Sequence, residues 1–360
     1  MREAVQSCEI IAEAGVNHDG DVGDALRLVA TAAETGADTV KFQTFDADEL
    51  ATAGAPTAAY QSAAGEGTDQ ATMLRRLALP LEAWSRIARE AEACGITFLS
   101  TPFDIGSARL LVDEIGMERI KVGSGELTNL PFLLALSRLG RPLILSTGMA
   151  TLDEVNDALG TVVFGQLAEA NARPSLAAVR EALSDPAAHA VLGQTVVMQC
   201  VTAYPAPHDQ ANLRVLDTYA ALGVIPGYSD HTQGLDVALA AVARGARVIE
   251  KHLTLDRGRA GPDHRASLEP HEMTALVVGA RRVVEALGSD RKTPVEAERE
   301  NMAVARRGVV AVRPIREGET FGPDNVAARR AGGGAPPFRL WEIEGRSANR
   351  DYAVGDWIEA

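Results

Sequence analysis

Short apolar runs rich in Val, Ile and Phe recur along the chain, separated by longer Ala- and Leu-rich stretches whose apolar positions fall three and four residues apart. The first kind of run suits a strand buried on both faces and the second an amphipathic helix, so their alternation predicts βα units around a parallel sheet. Eight strands are predicted: Glu9 to Glu13, Asp38 to Gln43, Ile96 to Ser100, Arg119 to Gly123, Pro142 to Ser146, Thr195 to Cys200, Val224 to Ser229 and Arg247 to His252. Helical stretches such as "DVGDALRLVATAAETG" and "LEAWSRIAREAEACG" lie between them and end on glycine, the usual left-handed C-terminal cap. Eight such repeats over about 285 residues is the count of an α/β fold of the (β/α)8 TIM-barrel type. An open doubly wound sheet is the other arrangement, but no GxGxxG follows the first strand.

Two segments interrupt the rhythm. After the second strand, "ATAGAPTAAYQSAAGEGTDQ" is small and polar and predicts a long loop able to cover a pocket. From Thr161 to Ala190 an additional helical stretch lengthens the connection to the sixth strand. The barrel is expected over residues 1–288 and a charged, proline-containing linker with some helical character over 289–304. Short strands punctuated by Gly, Pro and Asp then predict a small, mostly β domain over 305–360, marginal alone and expected to lean on a partner surface.

Of 360 residues, 46% are hydrophobic and 23% charged, the make-up of a soluble globular protein with one or two sizeable cores. The N-terminus lacks a basic-then-apolar leader, and no run approaches the roughly 18 apolar residues of a membrane helix, so a cytoplasmic protein is expected. Cys8, Cys94 and Cys200 are far apart without a CxxC, and read as small buried residues rather than disulfide or thiolate-metal partners. A net charge of −14 argues against nucleic acid, which needs clustered Lys and Arg. An anionic small molecule is compatible with it, because exposed charges beyond about 8 to 10 Å are screened.

In a barrel of this type the active site lies at the C-terminal ends of the strands. Those ends carry Glu13, Lys41, Gln43, Ser100, Thr101, Lys121, Ser124, Glu126, Ser146, Tyr204, Ser229, His231, Glu250 and His252. Singly each reads as a solvated strand end. Lys41, Lys121 and His252, however, sit in or just after apolar runs where an unpaired charge is expensive, and buried lysines imply an anion to hold. With the hydroxyls of Ser124, Ser146 and Ser229 and the glycine-rich "KVGSGE" and "LSTGM", they form a candidate cradle for phosphate and carboxylate.

"GYSDHT" puts His231 at the end of strand seven and "VIEKH" puts His252 at the end of strand eight, 252 − 231 = 21 residues or one βα unit apart. Neighbouring strands could thus present two imidazoles to one divalent metal, with Glu13 or Glu126 adding oxygen; alternatively both rings are hydrogen-bonded structural histidines. His18, His189, His208, His264 and His271 have no such placement and read mostly as surface or loop residues. Asp263 of "GPDH" either binds a substrate hydroxyl or caps the following helix.

The segments "IIAEAGVNHDG", "GADTVKFQTF", "STPFD", "KVGSGE", "ILSTGM", "AYPAP", "YSDHT", "EKHLTLDR" and "GPDH" resemble the sialic acid synthase family, which makes 3-deoxy-nonulosonic acids from phosphoenolpyruvate and an N-acylated hexose. The tail, through "VVAVRPIREGETF" and "ARRAGGG", resembles that family's antifreeze-like (SAF) domain. The resemblance implies a divalent metal, Mn2+ or Mg2+, on His231 and His252, holding the aldehyde oxygen of the open-chain sugar. It further implies phosphoenolpyruvate contacts at Lys41, Thr101, Lys121, Ser124, Ser146 and Ser229, sugar contacts at Gln43, Glu126, Tyr204 and Asp263, and a carboxylate near the reacting carbons at Glu13. A domain-swapped homodimer is implied too, with Arg330 reaching the N-acyl group in the other copy's site.

Two departures bear on the sugar. Thr202 stands where some of these synthases carry Asn at a phosphoenolpyruvate contact, and "RRAG" around Arg330 replaces a commoner "KRPG". The leading expectation is an N-acetylneuraminate synthase acting on N-acetylmannosamine or a related N-acylated hexose. The alternative is a legionaminic acid synthase acting on 2,4-diacetamido-2,4,6-trideoxymannose. In either, carbon 3 of the enol attacks the aldehyde, water adds at carbon 2 with Glu13 or Glu126 as base, and carbon–oxygen cleavage releases phosphate. The rival readings are a Schiff-base aldolase with Lys121 as nucleophile and a carbohydrate- or ice-binding protein, the second leaving the strand-end lysines and histidines without a role.

Overall fold

The computed structural model describes residues 7–57, 69–169 and 171–359. Eight parallel strands run in sequence order: β1 Glu9–Gly15, β2 Thr39–Thr44, β3 Thr97–Pro102, β4 Ile120–Val122, β5 Leu143–Ser146, β6 Val196–Cys200, β7 Ile225–Asp230 and β8 Val248–His252. Hydrogen-bonded neighbours follow the order β3-β2-β1-β8-β7-β6-β5-β4, and β3 and β4 lie side by side, closing the barrel. Each predicted strand is present.

Covered by helices outside and by one another inside, these strands are buried on both faces, which is why they read as near-continuous apolar runs. Outward residues such as Ile10, Val40, Phe42, Tyr228 and Ile249 pack against Leu28, Trp84, Ile87, Met273 and Leu276 of the helices. Phe42 is fully buried with its ring centroid 6.1 Å from that of Trp84, a position where truncation to Ala would cost about 3–5 kcal/mol. The helix Val22–Glu34 shows how local sequence sets an element: Asp21 accepts from Asp24 N at 2.7 Å to cap it, and Ala25, Leu28, Val29 and Ala32 form its buried stripe.

The lengthened connection before β6 is helical over Leu152–Leu167, Leu176–Ala182 and Ala188–Leu192. Its first helix begins well before Thr161, at a capping box formed by Thr151 and Glu154. Most of the long loop after β2, residues 58–68, lies outside the described residues. Its flanks Pro56 and Asp69 form an antiparallel bridge, and the helix Gln70–Leu77 follows.

The chain divides into two compact units, Met1–Gly288 and Ser289–Ala360. In the second, residues 299–305 form the helix Arg299–Ala305, and β9 Gly308–Ala311 pairs antiparallel with β10 Val326–Arg329. Its own core contains Val309, Ile315, Phe321, Val326, Ile343, Tyr352 and Ile358. Among the described residues no helix is long and apolar enough to cross a membrane.

Candidate active site

Alternation along each strand decides which side chains enter the barrel. On β2, Val40 and Phe42 face the helices, leaving Lys41 and Gln43 to face inward. On β8 the same rule puts Glu250 and His252 inside and Lys251 outside. Because β1 pairs in register with both neighbours, Glu13 stands opposite Lys41 on one side and opposite His252 on the other. The result is a single cavity at the C-terminal mouth, lined by Glu13, Lys41, Gln43, Thr101, Lys121, Ser124, Ser146, Cys200, Thr202, Tyr204, Ser229, His231, Glu250, His252 and Asp263.

Two buried lysines organise its base. Lys41 Nζ lies 2.7 Å from Glu13 Oε2 and donates to Thr101 Oγ1 at 2.9 Å. Lys121 Nζ donates to Ser146 Oγ at 2.7 Å and to the carbonyl of Val122 at 3.1 Å. Glu250 sits between them, 3.8 Å from each ammonium, and accepts from Ser229 Oγ at 3.0 Å. The four charged side chains are at most 7% exposed, so their protonation is set by one another. Burial pushes Glu13 up to about 7, with Lys41 opposing and Glu250 adding to the rise. Burial acts the same way on Glu250, but Lys121 and Lys41 outweigh it and hold that carboxyl well below the ordinary range. Burial lowers Lys121, against the pull of Glu250, whereas Glu13 and Glu250 overcome burial at Lys41 and raise it.

A second group of donors stands beside the lysines. Ser124 Oγ accepts from Gly148 N at 3.0 Å, and a β-carbon on Gly148 would fall 2.2 Å from Thr202 Oγ1 and 2.9 Å from Ser124 Oγ. A side chain at 148 would therefore have to push both hydroxyls aside.

Across the cavity the His231 and His252 rings lie 5.6 Å apart, with Tyr204 against His231 at 4.1 Å. His231 Nδ1 is 2.7 Å from the carbonyl of Val201 and donates to it. Burial would lower this imidazole, but the hydrogen bond and charge of Cys200 and the Val201 carbonyl outweigh it and raise its pKa above the ordinary value. His252 Nδ1 is buried with no hydrogen-bond partner, and Asp263 Oδ2 is 3.9 Å away. Burial, with His231 and Lys41 adding to it, holds His252 well below its ordinary pKa and therefore neutral. Imidazole nitrogens suit a divalent cation, and the two rings on adjacent strands are the residues that could hold one once His231 gives up its extra proton. Among the described residues there is no group of three or more His, Cys, Asp or Glu side chains that could hold a metal ion.

Residues 28–292 match the NeuB family and residues 306–360 the SAF domain. The chain belongs to the NeuB family. It is 39% identical to an N,N'-diacetyllegionaminic acid synthase of Campylobacter jejuni over 97% of this chain and 98% of that one. With the protein of the same name from Legionella pneumophila it shares 38% identity, over 98% and 94%. The crystal structure of an N-acetylneuraminic acid (sialic acid) synthetase from Leptospira borgpetersenii superposes with a TM-score of 0.66 at 29% identity, covering 83% of this chain and 91% of that one.

One expected site residue of the first unit, Glu126, is not part of the cavity lining of this NeuB-family chain. Glu126 closes the short turn Ser124–Glu126 after β4 and accepts from Asn129 Nδ2 at 2.7 Å. Arg330 is exposed, directly after β10 of the second unit. Asp263 does not cap the turn that follows it; the short helix His264–Ala266 has no side-chain cap, and Asp263 lines the cavity instead.

His18 and His264 lie on loops, as expected, but they are buried rather than at the surface, at 1% and 0% exposed. His264 bonds to Thr254 Oγ1 through Nδ1 at 2.7 Å and to Asp19 through Nε2 at 3.1 Å, which ties the loop after β8 to the loop after β1. Asn17 adds to that tie by donating to the Leu253 carbonyl and to Ser267 Oγ. Absent from the expected site were Glu250 as a partner of both lysines and an apolar wall formed by Val16, Met73, Leu74, Leu77 and Phe103. The period-two alternation of "VIEKH" is the signal that could have singled out Glu250.

Proposed function

We propose that this NeuB-family synthase condenses phosphoenolpyruvate with 2,4-diacetamido-2,4,6-trideoxymannose, forming the carbon skeleton of N,N'-diacetyllegionaminic acid and releasing phosphate. The observation that carries the condensation is one cavity that joins a two-lysine, hydroxyl-lined anion pocket to two imidazoles on adjacent strands. Two relatives named for legionaminic acid, alike to this chain over nearly its full length, support this acceptor over N-acetylmannosamine, the leading expectation from sequence. The apolar wall supports it as well. A sugar hydroxyl turned toward Met73, Leu74 and Leu77 would lose its hydrogen bonds, whereas a deoxy carbon would not.

In this reading Lys41 and Lys121 hold the anionic groups of phosphoenolpyruvate, with Thr101, Ser124, Ser146, Thr202 and Ser229 donating around them. A divalent cation, Mn2+ or Mg2+, held by His231 and His252 would supply Lewis-acid polarisation of the acceptor aldehyde. Gln43, Tyr204 and Asp263 orient the open-chain sugar so that carbon 3 of the enol meets its carbonyl carbon. Glu13, raised toward neutral pH by burial, takes the proton of the water that adds at carbon 2; the carbon–oxygen bond then breaks and phosphate departs against the lysines. Exchange of C-terminal units in a homodimer, each lending Arg330 to the other's acceptor, belongs to the same reading.

One observation bears on the Schiff-base alternative. Burial lowers Lys121, as imine chemistry requires, but its Nζ donates two hydrogen bonds and faces Glu250, an arrangement suited to an ammonium. Coupled phosphate release from phosphoenolpyruvate with N-acetylmannosamine, its 6-phosphate and the diacetamido-trideoxyhexose tests the proposal. Fastest turnover is expected with the last. A borohydride-trapped pyruvate adduct on Lys121 would replace the synthase by an aldolase, and no release with any acceptor and either metal would reject the condensation.

A further inference from the structure

Outside the cavity, directly behind the two imidazoles, lies an ion pair that the reaction does not touch. Asp230 and Lys251 are register partners on β7 and β8, and both side chains are 0% exposed. Lys251 is among the largest fully buried side chains of the molecule, in a layer otherwise built from Tyr228, Ala238, Ala241, Val242 and Ile249. Lys251 Nζ donates to Asp230 Oδ2 at 2.7 Å and to the carbonyl of Thr232 at 2.5 Å, while Asp230 Oδ1 accepts from Thr232 N at 2.8 Å. Both backbone groups of the residue after His231 are therefore gripped by the pair. The ammonium that does part of this gripping belongs to the residue before His252.

A buried ion pair is weak evidence for stability, because apolar residues of similar volume often do as well or better in the same place; its best attested use is to fix one arrangement. Here the arrangement fixed is the chain path on both sides of the imidazole pair. His231 is further restrained by its own carbonyl, which accepts from Ala206 N at 2.8 Å, and by Nδ1 on the Val201 carbonyl. His252 has no hydrogen bond at Nδ1 and is placed by the strand that carries it together with ring contacts to Tyr204 and His231.

We infer that Asp230 and Lys251 are positioning residues that set the separation and orientation of His231 and His252, and with them the affinity of the site for a divalent cation. This rests on the metal reading of the two histidines. Partners outside the ligand shell commonly change metal affinity by 10- to 100-fold when removed.

The double variant Asp230→Leu/Lys251→Met removes both charges together and leaves neither buried alone. Mn2+ binding to the metal-free protein, followed by the electron paramagnetic resonance of the free ion, should weaken about 10- to 100-fold. Because Thr232 N–H and C=O and the buried Tyr228 hydroxyl lose their partners, the thermal midpoint without metal should fall, and kcat should fall with the KM for phosphoenolpyruvate nearly unchanged. Wild-type Mn2+ affinity in a folded double variant overturns the inference. Should that variant fail to fold, Asp230→Asn keeps the acceptor for Thr232 N–H but loses the charge; it should weaken Mn2+ at least fivefold, and unchanged binding counts against the inference. A wild-type protein that binds no Mn2+, or a His252→Ala variant that binds it as wild type does, would refute the metal reading instead.

Discussion

The mouth and the floor of this barrel both carry charged side chains, and they treat them in opposite ways. On the floor, Glu9 receives two guanidinium N–H groups from Arg119 at 2.7 and 2.5 Å and the Thr39 hydroxyl at 2.7 Å. Asp38 likewise receives two from Arg281, both at 2.6 Å, and Ile10 N at 2.7 Å. These carboxylates are well supplied with donors, and their side chains remain 22% and 40% exposed. At the mouth the charges are nearly sealed from water, yet Glu13 Oε2, Glu250 Oε2 and His252 Nδ1 have no hydrogen-bond donor or acceptor aligned on them. Glu13 Oε2 is close to Lys41 Nζ as an ion pair without hydrogen-bond alignment. Unfinished hydrogen bonding under burial is costly, so its concentration at one end marks that end for a ligand; completed pairing marks the other for holding strands together.

The largest break in that contrast should come from the imidazoles. His231→Ala or His252→Ala should lower phosphate release by about 10³-fold or more, the order expected when several kcal/mol of carbonyl polarisation are lost. Arg119→Ala on the floor should leave turnover within a few-fold and lower the thermal midpoint. Steady-state kinetics beside calorimetry separates the two, and a floor variant that folds normally yet turns over 10³-fold slower would end the distinction. Next in size is Gly148→Ala. The new methyl must displace the Ser124 and Thr202 hydroxyls, so the KM for phosphoenolpyruvate should rise about 10- to 100-fold with little change in stability.

How much of this was legible in sequence differs between the two ends in the same way. All eight strands could be read from the alternation of apolar runs with helical stretches, and Lys41, Lys121 and His252 were picked out because a lysine or histidine inside an apolar run is locally conspicuous. Glu250 was counted among the strand-end groups but given no role for a local reason, three ionisable residues in a row, of which only the alternation tells Glu250 and His252 from Lys251. Burial of His264 could not be read, since it depends on Asp19, 245 positions away in the chain. The same holds for the apolar wall, whose Met73, Leu74 and Leu77 are ordinary helix residues until tertiary packing brings them beside Val16. Glu126 sits in an active-looking turn, but its partner Asn129 is a local one.

Acid titration sharpens the contrast through two carboxylates whose pKa values move in opposite directions. Burial raises Glu9, but the hydrogen bonds and charge of Arg119 outweigh it and the net shift is below 4.5. Its stabilisation is therefore present above pH 4.5 and lost as pH falls through the lower folded value. Glu13, raised to about 7, contributes in the other sense: full below 4.5, and lost as pH rises through 7. Glu9→Gln should lose about 1–2 kcal/mol at pH 7 and converge on wild type in acid. For Glu13→Gln the wild-type advantage should shrink between pH 4.5 and 7. Urea midpoints across pH measure both, and parallel curves for the two variants would contradict the assignment of opposite roles.

The smallest effect concerns backbone strain. Turns entering the strands at the floor use glycine with positive φ, Gly36 at 80° and Gly95 at 70° among them. Among the described residues Asp19, Met149 and Asn212 are the non-glycine residues with positive φ, and all three lie in loops that leave strands at the mouth. Met149, at φ 68° and 73% exposed, has little packing to lose and follows directly on Gly148. A left-handed conformation costs an L-residue roughly 1–2 kcal/mol, and glycine gives back about 0.5–1 through the entropy of the unfolded chain. Met149→Gly should therefore stabilise by about 0.5 kcal/mol, read as a small rise in the urea midpoint at constant slope. If the left-handed residue serves to aim the Gly148 backbone at Ser124, the gain in stability will be accompanied by a higher KM for phosphoenolpyruvate. A Met149→Gly variant that is less stable than wild type would show that the mouth is not strained at this position.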